Sequence, residues 1–161
     1  MNPIIKPIVD LYKINTELFR KALKMADSAD LHKRPYDKGN SFHWVVGHLT
    51  AYRFVVAQLL GIKAEFPSAS LFKFGAEPTD PTAYPRLEQI ENEWKNITTK
   101  MLDRLVKVSD DELAEEMTSY DIPGVEKTVG ALVCFMQLHE SYHIGQLAYI
   151  NRLHGSERLL G

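Results

Sequence analysis

The sequence predicts an all-α domain of four long helices joined by three long connections. Three observations predict it. Apolar residues recur at three- and four-residue steps in four separate stretches. Strand-like alternation is scarce, and Phe72-Lys73-Phe74 is too short to count. Pro and Gly gather between the four stretches, where they punctuate the chain. The 161 residues suit one domain, 1–161, since domains most often run to about 100–150 residues. There is no internal repeat at solenoid length and no low-complexity tract.

The first helix is expected from Ile8 to about Ala26, entered between Pro3 and Pro7. Ile8, Leu11, Tyr12, Leu18, Phe19, Ala22 and Leu23 share its apolar side, with Lys13, Glu17, Arg20 and Lys24 largely opposite. Residues Asp27 to Lys38 read as a loop. Asn40-Ser41 offers an N-cap to the apolar run that follows, and Gly61 its C-terminal stop. Pro67, Gly75, Pro78, Pro81 and Pro85 forbid a continuous helix from Ile62 to Pro85, so a long crossover is expected there. Periodicity returns from Arg86 to Val106 through Leu87, Ile90, Trp94, Ile97, Met101 and Leu105. Ser109 and Glu112 have capping-box spacing and open a short helix to about Met117. Pro123-Gly124 marks a turn. Thr128 then caps a last helix, apolar round much of its circumference and expected deep in the core, that ends at Gly155.

Composition excludes several functions. Hydrophobic residues make up 45% and charged residues 25%, with a net charge of -2. No run of Lys or Arg supplies the basic face that a phosphate backbone needs, so no nucleic-acid partner is expected. One cysteine, Cys134, rules out an internal disulfide framework, a Cys-based zinc knuckle and an iron–sulfur cluster. It is expected as a small buried hydrophobe, and a single Cys fits a reducing compartment. Lys6, Pro7 and Asp10 break the first apolar stretch, so no signal-peptide core is read there. No run of about 18 apolar residues spans a membrane. Cytoplasmic residence is the expectation.

The six histidines carry the chemical signal: His32, His43, His48, His139, His143 and His154. His139 and His143, four apart on the last helix, lie about 40° apart and about 6 Å along the axis. That is the chelating pair of a helix. The segment reads HESYH, the H-E-x-x-H pattern in which Glu140 would be general base of a metalloprotease. Its context is missing. Gln146 and Tyr149 stand where one subclass needs Gly and His, and Glu157, beyond the helix stop, stands where the other needs a helical Glu. A carboxylate-bridged di-iron bundle needs a second E-x-x-H unit, and none exists.

A third ligand must come from another helix. His48 sits among apolar neighbours in the second helix, whereas His43 lies about 140° away round it. His154 is about 16 Å beyond His143 and His32 is in a loop. Geometry nominates His48, His139 and His143. A single histidine on an apolar face is more often a satisfied core residue. For a buried i,i+4 pair the balance reverses, because two unpartnered imidazoles cost several kcal/mol. Helical spacing adds Gln146, Tyr52 and Glu140 as residues that would support the ligands. Glu140 is expected to fix a histidine from another helix or to face a connection. Trp44, one turn before His48, is read as core. Gly47 and Gly145, inside helices, suggest close helix approach near the metal.

NSFHWVVGHLTAYRFVVAQLLG and LHESYHIGQLAYINRLHG, in this order and at this separation, resemble the two signature segments of the DinB-like family. The resemblance implies a four-helix bundle in which a long crossover separates the second and third helices. It implies a divalent metal, zinc or nickel, held by His48 of the G-H-L element and by His139 and His143 of the H-x-x-x-H element. Homodimers are common in the family. Characterised relatives are metal-dependent S-transferases or isomerases that use bacillithiol or mycothiol. The family's name refers to damage-induced expression and implies no DNA binding.

Three neutral ligands leave an open coordination position, the mark of catalytic rather than structural zinc. The leading expectation is therefore a metal-dependent enzyme on small molecules, by thiol S-transfer or hydrolysis. A low-molecular-weight thiol cosubstrate would bind as thiolate and attack an electrophile. The alternatives are a non-catalytic metal-containing binding or stress-response module, and a bundle whose histidines hold no metal. The apolar crossover, with Phe66, Leu71, Phe72 and Phe74, either roofs the site or covers a dimer surface.

Overall fold

The computed structural model describes residues 5–76 and 79–160. The expected breakers Pro3 and Pro78 lie outside the described residues. Among the described residues five α-helices run in order: α1 (Lys6–Met25), α2 (Phe42–Leu59), α3 (Leu87–Leu105), α4 (Asp110–Ala114) and α5 (Val129–Leu153). Among the described residues there is no strand, only an isolated bridge between Glu116 and Thr128.

Helix ends follow local chemistry. The Ser41 hydroxyl accepts from the Trp44 N–H, and the Thr128 hydroxyl from the Ala131 N–H. Pro7 stands in the first turn of α1, where a missing N–H costs nothing. Gly61 and Gly155 take φ of +79° and +85°, the left-handed geometry that ends α2 and α5. The capping box of Ser109 and Glu112 opens α4 as its spacing predicts. That helix stops at Ala114, three residues before the expected end. The Met117 N–H donates to the Lys127 carbonyl and the Val129 N–H to the Glu115 carbonyl, so the chain straightens there to pair with the start of α5.

The four long helices close a ring in which α1 packs on α5, α5 on α2, α2 on α3, and α3 more lightly on α1. The crossover from residue 60 to 86 therefore joins neighbours. It carries two short 3-10 turns, Ala69–Leu71 and Pro81–Ala83, and lays Phe66 and Phe72 into the core. Phe54, Phe66, Phe72 and Tyr84 follow one another at ring separations of 5.6, 6.0 and 5.2 Å, pinning the crossover along α2.

The deep helix is α2, not α5. Fourteen of its eighteen residues are buried, against eleven of twenty-five in α5. One face of α5 lies outside: Leu138 and Tyr142 are each 64% exposed and Tyr149 53%. Cys134 opens that face and is exposed, not buried as expected. Both helices are apolar, but α2 packs against two of the other long helices and the crossover together.

Candidate metal centre

The site forms where α2 meets α5. His48 comes from the middle of α2, and His139 and His143 from successive turns of α5. The His139 Nε2 lies 3.1 Å from the His48 Nε2 and 3.1 Å from the His143 Nε2. One nitrogen from each ring falls within 4.8 Å of the others, and no carboxylate or thiol among the described residues joins them. His32, His43 and His154 stand apart. The His43 Nε2–H donates to the Pro85 carbonyl at 2.9 Å, His32 packs on the His43 ring, and His154 approaches Asp30 at 3.8 Å.

Two of the three imidazoles have their outer nitrogen committed. The His48 Nδ1–H donates to the Phe72 carbonyl at 2.6 Å. The His143 Nδ1–H donates to the Gln146 Oε1 at 2.8 Å. A proton on Nδ1 of a neutral ring leaves a lone pair on Nε2. Both lone pairs are therefore directed to the same place, against the His139 Nε2. The outer nitrogen of His139 is buried without a protein partner.

Protonation does not resolve this crowding. Burial, with His143 close by, pushes the His48 pKa down to about 3. Burial, again with His143, lowers His139 to about 4. Burial also lowers His143, partly offset by its bond to Gln146. All three rings are neutral at pH 7 and present lone pairs. Tetrahedral zinc at about 2.0–2.1 Å from each nitrogen sets ligand nitrogens about 3.3–3.4 Å apart. The two 3.1 Å separations are close to that spacing. The donor set fits a divalent cation, and outer N–H groups held by a carbonyl and an amide are the usual support for such ligands.

The supporting residues divide. Gln146 orients His143 directly. The Tyr52 ring packs 4.5 Å from both the His48 and His139 rings. Burial raises its phenol above the usual range, the Phe74 backbone opposing, so the hydroxyl keeps its proton at neutral pH. Glu140 does neither of the things expected of it. Both its oxygens bind Arg53, at 2.7 and 2.8 Å. It touches no histidine of another helix and faces the core rather than a connection, so the general-base role of H-E-x-x-H has no carboxylate to perform it.

Arg53 is the residue that sequence reading missed. It is fully buried. Besides Glu140 it donates to Thr98 on α3 at 2.5 Å and to the Tyr12 carbonyl on α1 at 3.2 Å, and it lies 3.7 Å over the Trp94 ring. One side chain thus ties all four long helices. The signal was there, since a cation in the apolar run LTAYRFVVAQ must find a buried anion.

Phe72 explains Gly47. A Cβ on Gly47 would stand 2.2 Å from the Phe72 ring, so only glycine lets the crossover approach α2 closely enough for its carbonyl to reach His48. The close approach is by the crossover, not by a helix as expected. Gly145 has nothing within 4 Å and meets no such constraint. Trp44 is buried, with its ring stacked on His48 at 4.6 Å.

Comparison with known proteins agrees with this geometry. The family model described as the DinB superfamily matches residues 11–147, a span that holds all three histidines. No curated protein matches the chain.

Proposed function

The chain belongs to the DinB superfamily, and from that premise we propose that it is a metal-dependent enzyme acting on small molecules, by thiol S-transfer or by hydrolysis, with His48, His139 and His143 as ligands. The observation that carries this reading is the pair of committed Nδ1–H groups, on His48 and His143, which turn two buried Nε2 lone pairs onto a third imidazole. Zinc or nickel is the metal proposed, since imidazole donors suit both.

A divalent ion held by His48, His139 and His143 would supply a Lewis acid able to lower the pKa of a thiol or water brought to it. The protein's own groups then have a limited part. His48 and His143 hold fixed tautomers through Phe72 and Gln146. Tyr52 and Trp44 pack aromatic rings against the cluster. With Glu140 paired to Arg53, no carboxylate among the described residues joins the cluster to take a proton from a nucleophile. The lack of a nearby carboxylate base favours a nucleophile whose own pKa is low, a thiol before water.

The test is turnover. Metal-loaded protein is given a low-molecular-weight thiol with a panel of electrophiles, and ester substrates in parallel. Thiol consumption that disappears in His48→Ala and His139→Ala supports S-transfer. Ester cleavage with the same dependence supports hydrolysis. Neither, in protein that holds its metal, leaves a binding module and overturns the enzyme reading.

We also propose a homodimer through the outer face of α5. Cys134, Leu138, Tyr142, Gly145, Tyr149 and Leu153 recur at helical spacing along it, all exposed, over about 28 Å. An uninterrupted apolar stripe of that length marks an interaction surface.

A further inference from the structure

A second feature bears on the substrate, and it rests on the enzyme reading above. Beside the metal cluster is a cavity of about 270 Å³ lined by His32, Arg34, Asn40, Trp44, Thr79 and Tyr84, among others. Trp44 belongs to both places: its ring stacks on His48 at 4.6 Å, and the residue lines the cavity. The volume is at the low end for ligand sites, which suits a small molecule.

Among the described residues, Arg34 is the one permanently charged side chain that lines this cavity. Among the described residues no carboxylate lines it. Arg34 is held by its own loop, with Nε donating to the Gly39 carbonyl at 2.7 Å and Nη2 to the Lys38 carbonyl at 3.1 Å. Carbonyls fix the guanidinium without neutralising it. They also occupy its Nε side and leave the Nη1–Nη2 end of the fork, three N–H groups, to be shared. That end matches the two oxygens of a carboxylate. Asn40 and Thr79 add uncharged polar groups, and Trp44 and Tyr84 add aromatic faces.

We propose that this cavity binds the carboxylate-bearing end of the substrate, with Arg34 as the anion's partner and Trp44 as the wall along which its apolar body runs towards His48. The substrate class is a small aromatic carboxylic acid, its ring set against Trp44 and Tyr84. Because Arg34 is pre-set by its two loop bonds, little side-chain freedom is lost on binding.

The probe is benzoate, with benzamide as its uncharged isostere, followed by tryptophan fluorescence and ligand-observed NMR. The protein is used both metal-loaded and after chelation. Benzoate is expected to bind about tenfold more tightly than benzamide, the worth of one charge-assisted pair. The preference should survive chelation and fall to near unity in Arg34→Gln with metal content unchanged. Asn40→Asp, which leaves the Arg34 loop bonds intact, should also abolish it. Equal binding of the two probes overturns the proposal, as does a preference that persists in both variants. A preference lost on chelation assigns the anion to the ion instead of Arg34, and overturns it too. Absence of a metal from the protein bears on the enzyme reading alone, since the chelated arm still reports on Arg34.

Discussion

Gly47 and His48 show how one backbone atom sets the chemistry of a ring. The Phe72 carbonyl fixes the His48 tautomer only because Gly47 has no Cβ to push the Phe72 ring away. Gly47→Ala is predicted to cost about 1–3 kcal/mol through overpacking and to weaken metal binding as well. Urea denaturation and a chelator competition check the two effects. A variant as stable as the parent contradicts this account of Gly47. The imidazoles predict an acid sensitivity. In the metal-free protein His48 and His139 titrate only near 3 and 4, whereas in the unfolded chain they take protons near the ordinary value of 6.5. The folded pKa values are depressed, so below pH 6.5 the unfolded state binds more protons and stability falls as the pH falls, down to about 4 and 3. The urea midpoint should decline through that window, and less steeply in His48→Gln, which removes one of the groups. Equal slopes would contradict it. The i,i+4 pair was legible because helical geometry alone brings His139 and His143 together. The role of Gly47 was not, because it depends on a ring twenty-five residues away.

At the scale of the elements, Arg53 and Glu140 hold α2 against α5 with a two-pronged bond, while the histidines meet between the same two helices. Rotation of α5 about its axis would move Glu140 off Arg53 and carry His139 and His143 with it. Arg53→Met leaves the Glu140 carboxylate buried and unpaired. It is predicted to cost about 3–5 kcal/mol, much of which Arg53→Met/Glu140→Leu should restore, because an apolar pair of similar volume replaces a buried ion pair at little cost. Denaturant unfolding of both variants checks this; a single variant no less stable than the double contradicts it. The helices themselves were readable from apolar spacing and caps, most ends falling within a few residues of expectation. Which helix is central was not readable, since α2 and α5 are both apolar and only packing separates them. Glu140 was misplaced for a related reason. Its spacing gave a direction on α5, but its partner was a cation on α2 that spacing along one helix does not reveal.

For the whole molecule, the exposed stripe on α5 predicts a dimer at micromolar concentration by sedimentation, and a folded monomer for Leu138→Glu/Tyr142→Glu. A parent that stays monomeric contradicts the proposed interface. The fold class was legible from the whole chain's periodicity, and the two histidine segments pointed to the family. The path of the crossover was not, since its Pro- and Gly-rich sequence gives no direction until Phe66 and Phe72 find α2. We propose above all that His48, His139 and His143 together hold a divalent ion. Elemental mass spectrometry on protein purified without an affinity tag tests it most directly, with His48→Ala, His139→Ala and His143→Ala alongside. About one divalent ion per chain, lost in each alanine variant that keeps its helical circular dichroism, is the predicted result. No metal in the parent, and none taken up from added zinc, nickel or manganese, would contradict it.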